Sequence, residues 1–482
     1  MNRRLLVVCL LGLAPNGCTV GPDYAPPEIA MPQGWRELEG KQGESLANVP
    51  WWELYPDPVL HDLIKTALEH NLDLRIAVER IEEARARYGF TRADLWPKVD
   101  VGAGARTERI SEESLPNGPT GADIQRSVYG AGASASWEID LFGRIRRASE
   151  AQQAILFSTE HARAAIVLAL VGDVAQAYVE LRDFDRRLEI ANATVLSRRQ
   201  YLELVRIRYE GGLTSELDFR QAEAELHRTE AQMHDFERLV TQKENELNLL
   251  LGRNPGPIPR GAAVATMPLP PQVPAGLPSE LLQRRPDLAA AEQDLVAANA
   301  RIGEAKALLY PSISLTGFFG FESTELQDLA TAPARTWSLG ANLLQPIFNS
   351  GQLQSRVEVA ESLERQTLAA YEQAILRALR EVEDSLVGYR KFGERRSSES
   401  SRVAAERQVL ALAEVRYRGD VAPYLDVLDA QRSLLDSELS EAEAIRDQYV
   451  SLIQLYKALG GGWPAEPAAA APPTGEPPPA GG

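Results

Sequence analysis

The chain has 482 residues, with 51 Lys and Arg against 68 Asp and Glu, a net charge of −17, and 44% hydrophobic residues. That apolar content excludes wholesale disorder, and the acidic balance excludes nucleic acid as the main partner, because phosphate binding needs clustered Lys and Arg. No unbroken apolar run of 18 residues occurs, so no helix is expected to span a bilayer.

Residues 1–17 read as a cleavable export signal. Met1–Arg4 is a short basic start, and Leu5–Ala14 is an apolar run too short for a membrane span. Both cysteines, Cys9 and Cys18, lie here, so the mature body offers no disulfide, thiolate metal site or cysteine nucleophile. Cys18 has two readings: an ordinary residue near the cleavage site, or the lipid-modified first residue of a bacterial lipoprotein. Gly17 fits a lipidation signal, whereas Pro15 stands where an aliphatic residue is usual. One lipid contributes roughly 0.8 kcal/mol per buried methylene, so it would be one anchor among several. Thr19, not Asp, follows the cysteine, which resembles lipoproteins sorted to the outer membrane.

Proline costs about 3 kcal/mol inside a helix, so its map marks boundaries. It is absent from Leu141 to Pro255, and from Ile347 to Pro464 only Pro423 intervenes. The expected organisation is an N-terminal segment 18–62, a first repeat 63–252, a Pro-rich linker 253–280, a second repeat 281–462, and a disordered Pro/Ala tail 463–482. The repeats are copies. A shift of 214 aligns Asn71–Pro97 with Arg285–Pro311, and a shift of 208 aligns Arg208-Tyr209 with Arg416-Tyr417 and Leu217-Asp218 with Leu425-Asp426. Val167, Val171, Val174, Tyr178 and Leu181 meet Ile375, Leu379, Val382, Leu386 and Tyr389, a heptad seam. From Gly143 to Tyr209 a continuous helix would reach about 100 Å at 1.5 Å per residue. No single compact domain covers that.

Each repeat carries one non-helical insert that alternates apolar and polar by twos, giving strands at about 98–107, 127–139, 312–321 and 336–345. A soluble sandwich alternates too. Two features favour a membrane barrel. The strands have the roughly ten residues that cross an outer membrane at a tilt. Tyr129 and Trp137 share the apolar face eight residues apart, roughly 27 Å, and with Trp337 fit aromatic girdles. The opposite face carries small and polar side chains, as a wet lumen requires. Four strands cannot close, and an open edge in lipid costs several kcal/mol per unpaired backbone group. Copies must therefore share one barrel: two give eight strands and a plugged interior, three give twelve and a pore. The longer loop Glu108–Gln125 is expected outside the cell.

Cys18-Thr19-Val20-Gly21-Pro22-Asp23-Tyr24, Asp140-Leu141-Phe142-Gly143-Arg144, Arg285-Pro286-Asp287-Leu288 and Tyr424-Leu425-Asp426-Val427-Leu428-Asp429-Ala430-Gln431 together resemble the outer-membrane factors of tripartite efflux systems, TolC-like proteins of the lipoprotein (NodT-type) branch. The likeness runs from Cys18 to about Trp463. It implies a mainly α protein with a small membrane β part, a homotrimer with a 12-stranded β-barrel, and long coiled-coil helices forming an α-barrel across the periplasm. It also implies an equatorial domain built from Tyr24–Pro58, Arg253–Pro286 and the C-terminal segment. The implied partners are a periplasmic membrane-fusion adaptor and an inner-membrane pump, of the RND type in this branch; an ATP-driven secretion system is the alternative.

The hairpin turns are Glu210–Ser215 and Arg418–Pro423, where Gly211, Gly212 and Gly419 supply turn conformations, Ser215 caps a helix, and Pro423 suits a first turn. Asp426 and Asp429 sit three apart on one helix face. They read either as a helix-start pair worth about 0.3–1 kcal/mol or, as the family implies, as a ring of carboxylates at a tunnel constriction. By the same resemblance Asp218, Arg416 and Tyr417 are candidates for latch contacts that keep the tip shut between protomers; solvated surface pairs are the plain alternative. An enzyme reading finds no support: the five histidines form no HExxH pair, and no glycine-rich phosphate loop precedes a helix. No cofactor or metal is expected. A lipid-anchored periplasmic scaffold would explain the heptads but not the strands.

Overall fold

The computed structural model describes residues 19–36, 46–48, 57–109, 125–261, 263, 269, 275–276 and 278–461. The first repeat contains α1 (Pro58–His70), α2 (Leu72–Ala93), β1 (Lys98–Arg109), β2 (Gln125–Ile139), α3 (Arg144–Glu210) and α4 (Glu216–Leu250). The second contains α5 (Leu281–Arg284), α6 (Pro286–Ala307), β3 (Ser312–Ser323), β4 (Arg335–Leu344), α7 (Gln352–Arg418) and α8 (Tyr424–Ala458). Adding 214 to both ends of α2 and β1 gives both ends of α6 and β3, and adding 208 to both ends of α3 and α4 gives those of α7 and α8. The fold is mainly α with one small sheet, built on a duplicated module.

The chain divides into two compact units, residues 1–28, 80–159 and 291–371, and residues 29–79, 160–290 and 372–482. The first unit holds the sheet, an antiparallel meander in the order β1-β2-β3-β4. Its register keeps the two faces apart. Val101, Ala133, Phe319 and Trp337 form one row of the apolar face, and Asp100, Ser134, Phe318 and Ser338 a row of the other. Phe318 departs from the expected small, polar lining. It fits because Gly132 and Gly320 lie opposite each other beside it: a Cβ on Gly132 would come within 2.7 Å of the Phe318 ring. Trp137 donates its indole N–H to the Leu95 carbonyl at 3.0 Å. Trp337 pairs with Phe319 in the row of Ala133, midway between the rows of Tyr129 and Trp137, so it shares a row with neither of the other aromatics expected in a girdle. The Glu108–Gln125 loop falls almost wholly outside the described residues.

The start of the N-terminal segment, ahead of the stretch expected to be equatorial, is fastened to this unit. The Val20 N–H donates to the Phe142 carbonyl at 3.1 Å, and Gly21 lies against Gly303 so closely that a Cβ would meet its Cα at 2.4 Å. The buried Arg147 pairs with Asp23 at 2.6 Å and Glu150 at 2.8 Å.

In the second unit the seam residues Val171, Val174, Tyr178 and Leu181 of α3 pack with Leu60 and Ile64 of α1, Leu247 of α4, and Tyr449 and Ile453 of α8. The apolar stretch of α3 is long enough by composition to cross a bilayer although it contains charges, but more than half of it is buried in the protein. Burial of each such side chain contributes roughly 1.5–3 kcal/mol, which explains the apolar run without a membrane.

Candidate functional site

The two helical hairpins of the second unit end in turns of the same geometry. After α3, Leu213 N–H donates to the Arg208 carbonyl at 2.8 Å; after α7, Val421 N–H donates to the Arg416 carbonyl at 2.9 Å. This six-to-one closure requires a left-handed residue just past the helix. Gly212 fills that place in the first turn with φ 71°, and Asp420 fills it in the second with φ 56°. The sequence pointed to Gly419 instead. Asp tolerates the left-handed region better than most side chains, and here its carboxylate is fixed by an ion pair with Arg208.

The starts of the following helices differ. Ser215 caps α4 in a capping box with Asp218. The Asp218 carboxylate accepts from Thr214 Oγ1 at 2.7 Å, Ser215 Oγ at 2.8 Å and Ser215 N at 3.2 Å. Burial raises its pKa, but these hydrogen bonds outweigh burial and hold it below the usual carboxylate range. The repeat equivalents of Thr214 and Ser215 are Ala422 and Pro423, which offer no hydroxyl. Pro423 occupies the cap position rather than the first turn and provides no side-chain cap. Asp426, the equivalent of Asp218, is consequently an exposed carboxylate with no hydrogen-bond donor among the described residues. Asp429, one turn on, is also exposed and meets Arg432 at 3.6 Å. The opposite face of α8 is buried through Val427, Leu428 and Ala430.

A buried cluster joins the two hairpins: Tyr201, Val205 and Ala222 from the first with Ala413, Tyr417, Tyr424 and Leu428 from the second. Tyr417 is 4% exposed and packs at 5.7 Å from Tyr424. The Arg208 guanidinium lies over its ring at 4.9 Å. Burial pushes the Tyr417 phenol up, and Arg208 opposes the shift. Arg416 is exposed. Deeper, Glu225 of α4 is buried among Arg198 of α3, at 3.0 Å, Arg228, at 3.5 Å, and Arg432 of α8, whose Nε donates at 2.8 Å. Burial would raise the Glu225 carboxyl, but the Arg432 hydrogen bond and the surrounding guanidiniums hold it below its ordinary range.

A family model described as "Outer membrane efflux protein" matches residues 63–253 and 277–461, one match per repeat. The chain belongs to the outer membrane efflux protein family. It is 38% identical over 455 residues to the solvent efflux pump outer membrane protein SrpC of Pseudomonas putida, covering 93% of this chain and 96% of that one. It is 33% identical over 465 residues to the cation efflux system protein CusC of an Escherichia coli strain, covering 95% and 99%. The crystal structure of the open state of the Neisseria gonorrhoeae MtrE outer membrane channel superposes with a TM-score of 0.82 at 32% identity, covering 92% and 98%.

In this outer membrane efflux protein, the residues named from the sequence divide. Asp426 and Asp429 come together on one exposed helix face. Asp218 is absorbed into its own helix cap, and its hydrogen bonds within the chain fall in one turn. Tyr417 sits at the junction of the hairpins, with Arg208 over its ring. The residues that sequence reasoning missed are Arg208, Asp420, Arg198, Glu225 and Arg432. The repeat alignment placed Arg208 over Arg416 yet carried no signal as to which arginine turns inward. Among the described residues no His, Asp or Glu group is arranged to hold a metal. His227 and His234 are solvated beside Glu230 and Glu237 on their own helix. Cys18 lies outside the described residues.

Proposed function

We propose that three copies of this chain close one 12-stranded barrel in the outer membrane and continue as a helical tunnel into the periplasm. The assembly is the passive exit duct of a tripartite efflux pump. No chemistry occurs in the duct; an RND-type inner-membrane pump supplies energy and selection, and a periplasmic adaptor joins the two. The observation that carries this reading is the sheet. Its register separates an apolar face from a largely polar one, and β1 and β4 end it with unpaired edges among the described residues. Lipid tolerates an apolar face but no open edge. Two copies would fill the barrel with side chains, and three leave a pore. That relatives are named for solvents and for cations supports a duct permissive to its cargo.

Lipidation of Cys18 belongs to this reading. Thr19 packs on Gly143, just past β2, so an anchor on the preceding residue starts where the strand leaves the membrane. At the other end, Asp426 and Asp429 from three copies form a ring of six carboxylates at the tunnel mouth, which attracts cations. Tyr417 with Arg208 and Asp420 holds the two hairpins of a copy together, and Arg416 faces a neighbouring copy. Gating is a shift between closed and open tips, biased by partners that bind the open tip better. Single-channel recording of D426A/D429A in planar bilayers tests the ring: cation selectivity should fall, and wild-type selectivity would remove the ring from the mechanism.

A further inference from the structure

We infer that Glu225 sets the charge that Asp429 presents to the tunnel, by holding the Arg432 guanidinium away from it. This rests on the ring reading above and adds a positioning residue to it.

Arg432 stands between two carboxylates. It gives Nε, at 2.8 Å, and Nη2 to Glu225 Oε1, while only Nη1 approaches Asp429 Oδ1, at 3.6 Å. The guanidinium is thus committed to Glu225 by two donors and to Asp429 by one long contact. Charge-assisted bonds through two donors fix orientation as well as distance. Glu225 is itself immobilised. It is 5% exposed, its Oε2 faces Arg198 Nη1 at 3.0 Å, and the same Arg198 nitrogen donates to the Glu225 carbonyl at 2.8 Å and to the Thr229 hydroxyl. Arg198 is 4% exposed and cannot leave Glu225 without stranding a buried charge. Asp429, in contrast, is exposed, and among the described residues no donor lies closer to it than Arg432.

The arrangement belongs to one hairpin only. The repeat equivalents of Arg198, Glu225 and Arg432 are Glu406, Ser433 and Ala224, so the network is not a structural requirement of the module. Removing the Glu225 charge frees Arg432 to turn its planar fork onto Asp429. Three neutralised aspartates in the assembled ring would weaken its pull on cations.

The experiment is the K⁺ over Cl⁻ permeability ratio, from reversal potentials of the purified full-length channel in planar bilayers under a KCl gradient. E225Q should lower the ratio towards that of D429A. E225D should keep it near wild type. R432Q should raise it, and E225Q/R432Q should return it to wild type or above, which a merely structural defect at Glu225 would not do. D429A is the reference and should lower the ratio on its own. A wild-type ratio in E225Q beside a reduced ratio in D429A overturns the inference and leaves the ring standing. A wild-type ratio in D429A overturns the ring and the inference together. If E225Q fails to assemble, R432Q decides: anything other than a rise overturns the inference.

Discussion

Adding one methyl group would tell apart two positions that the repeat makes equivalent. Gly89 and Gly303 occupy the same place in α2 and α6, yet a Cβ at Gly89 meets nothing within 4 Å, whereas one at Gly303 meets the Val20 carbonyl at 2.8 Å and Arg147 Cγ at 2.8 Å. G303A therefore forces the N-terminal segment off its seat, an overpacking cost of about 1–3 kcal/mol. G89A gains the ordinary helix preference of Ala, about 0.5–1 kcal/mol. Limited proteolysis within residues 20–28 should be accelerated in G303A and unchanged in G89A; equal rates would show that the segment is not held by this contact. The sequence displayed both glycines at one alignment position and gave no means of telling them apart, because the difference lies in a contact 282 positions away, between Gly21 and Gly303. The same holds at the tip. Asp218 and Asp426 align, and the missing hydroxyls at Ala422 and Pro423 were readable, but that Asp218 would be consumed by its own cap emerged only from geometry.

Elements were more legible than residues, for a physical reason. Helix and strand periodicities are local, so the proline gaps, the heptad seam and the period-2 inserts located α3, α7 and all four strands to within a few residues. What pins one element to another is not local. The start of α1 is held by Asp57, fully buried, which accepts from Val59 N at 2.9 Å and from the Tyr178 hydroxyl of α3 at 2.9 Å. The same hydroxyl accepts from Gly261 N at 2.9 Å. Tyr178 was read from the sequence as a seam residue, and its ring is one, but its hydroxyl ties three segments together. Y178F leaves a buried carboxylate oxygen and a half-buried N–H unpaired, at about 1–3 kcal/mol. Burial, with Asp57 adding to it, raises the phenol to about 12 against the opposing Gly261 hydrogen bond. A raised folded-state pKa means that the contribution is complete below the ordinary value near 10 and is lost as the pH climbs towards 12. The stability difference between wild type and Y178F should thus be constant up to pH about 10 and shrink above it. Thermal melts at pH 8 and pH 11.5 check this; an equal difference at both would show that the hydroxyl is not the link.

For the whole molecule the deciding observation is that β1 and β4 end the sheet with no further strand beside them among the described residues. Val101 and Leu339 on the apolar face are 85% and 81% exposed, and Leu339 shares its row with Gly317 and Ala135. A water-soluble protein leaving these side chains open would accept a charge at Leu339 with little penalty. In a barrel wall, an arginine on the lipid face costs about 2–4 kcal/mol near the bilayer midplane, and it is incurred once per copy. Asn342 lies three residues on, in the row of Ser314 on the opposite face, so an arginine there meets water in the lumen. L339R should therefore abolish insertion into the outer membrane, while N342R should insert and change only conductance. Outer-membrane fractionation, followed by the mass of the detergent-solubilised particle, reads both. Wild type and N342R should give three chains per particle. If L339R inserts as well as N342R does, the face assigned to lipid is wrong. A stable single subunit would mean that the open edges of β1 and β4 are covered in some way other than by copies of the chain.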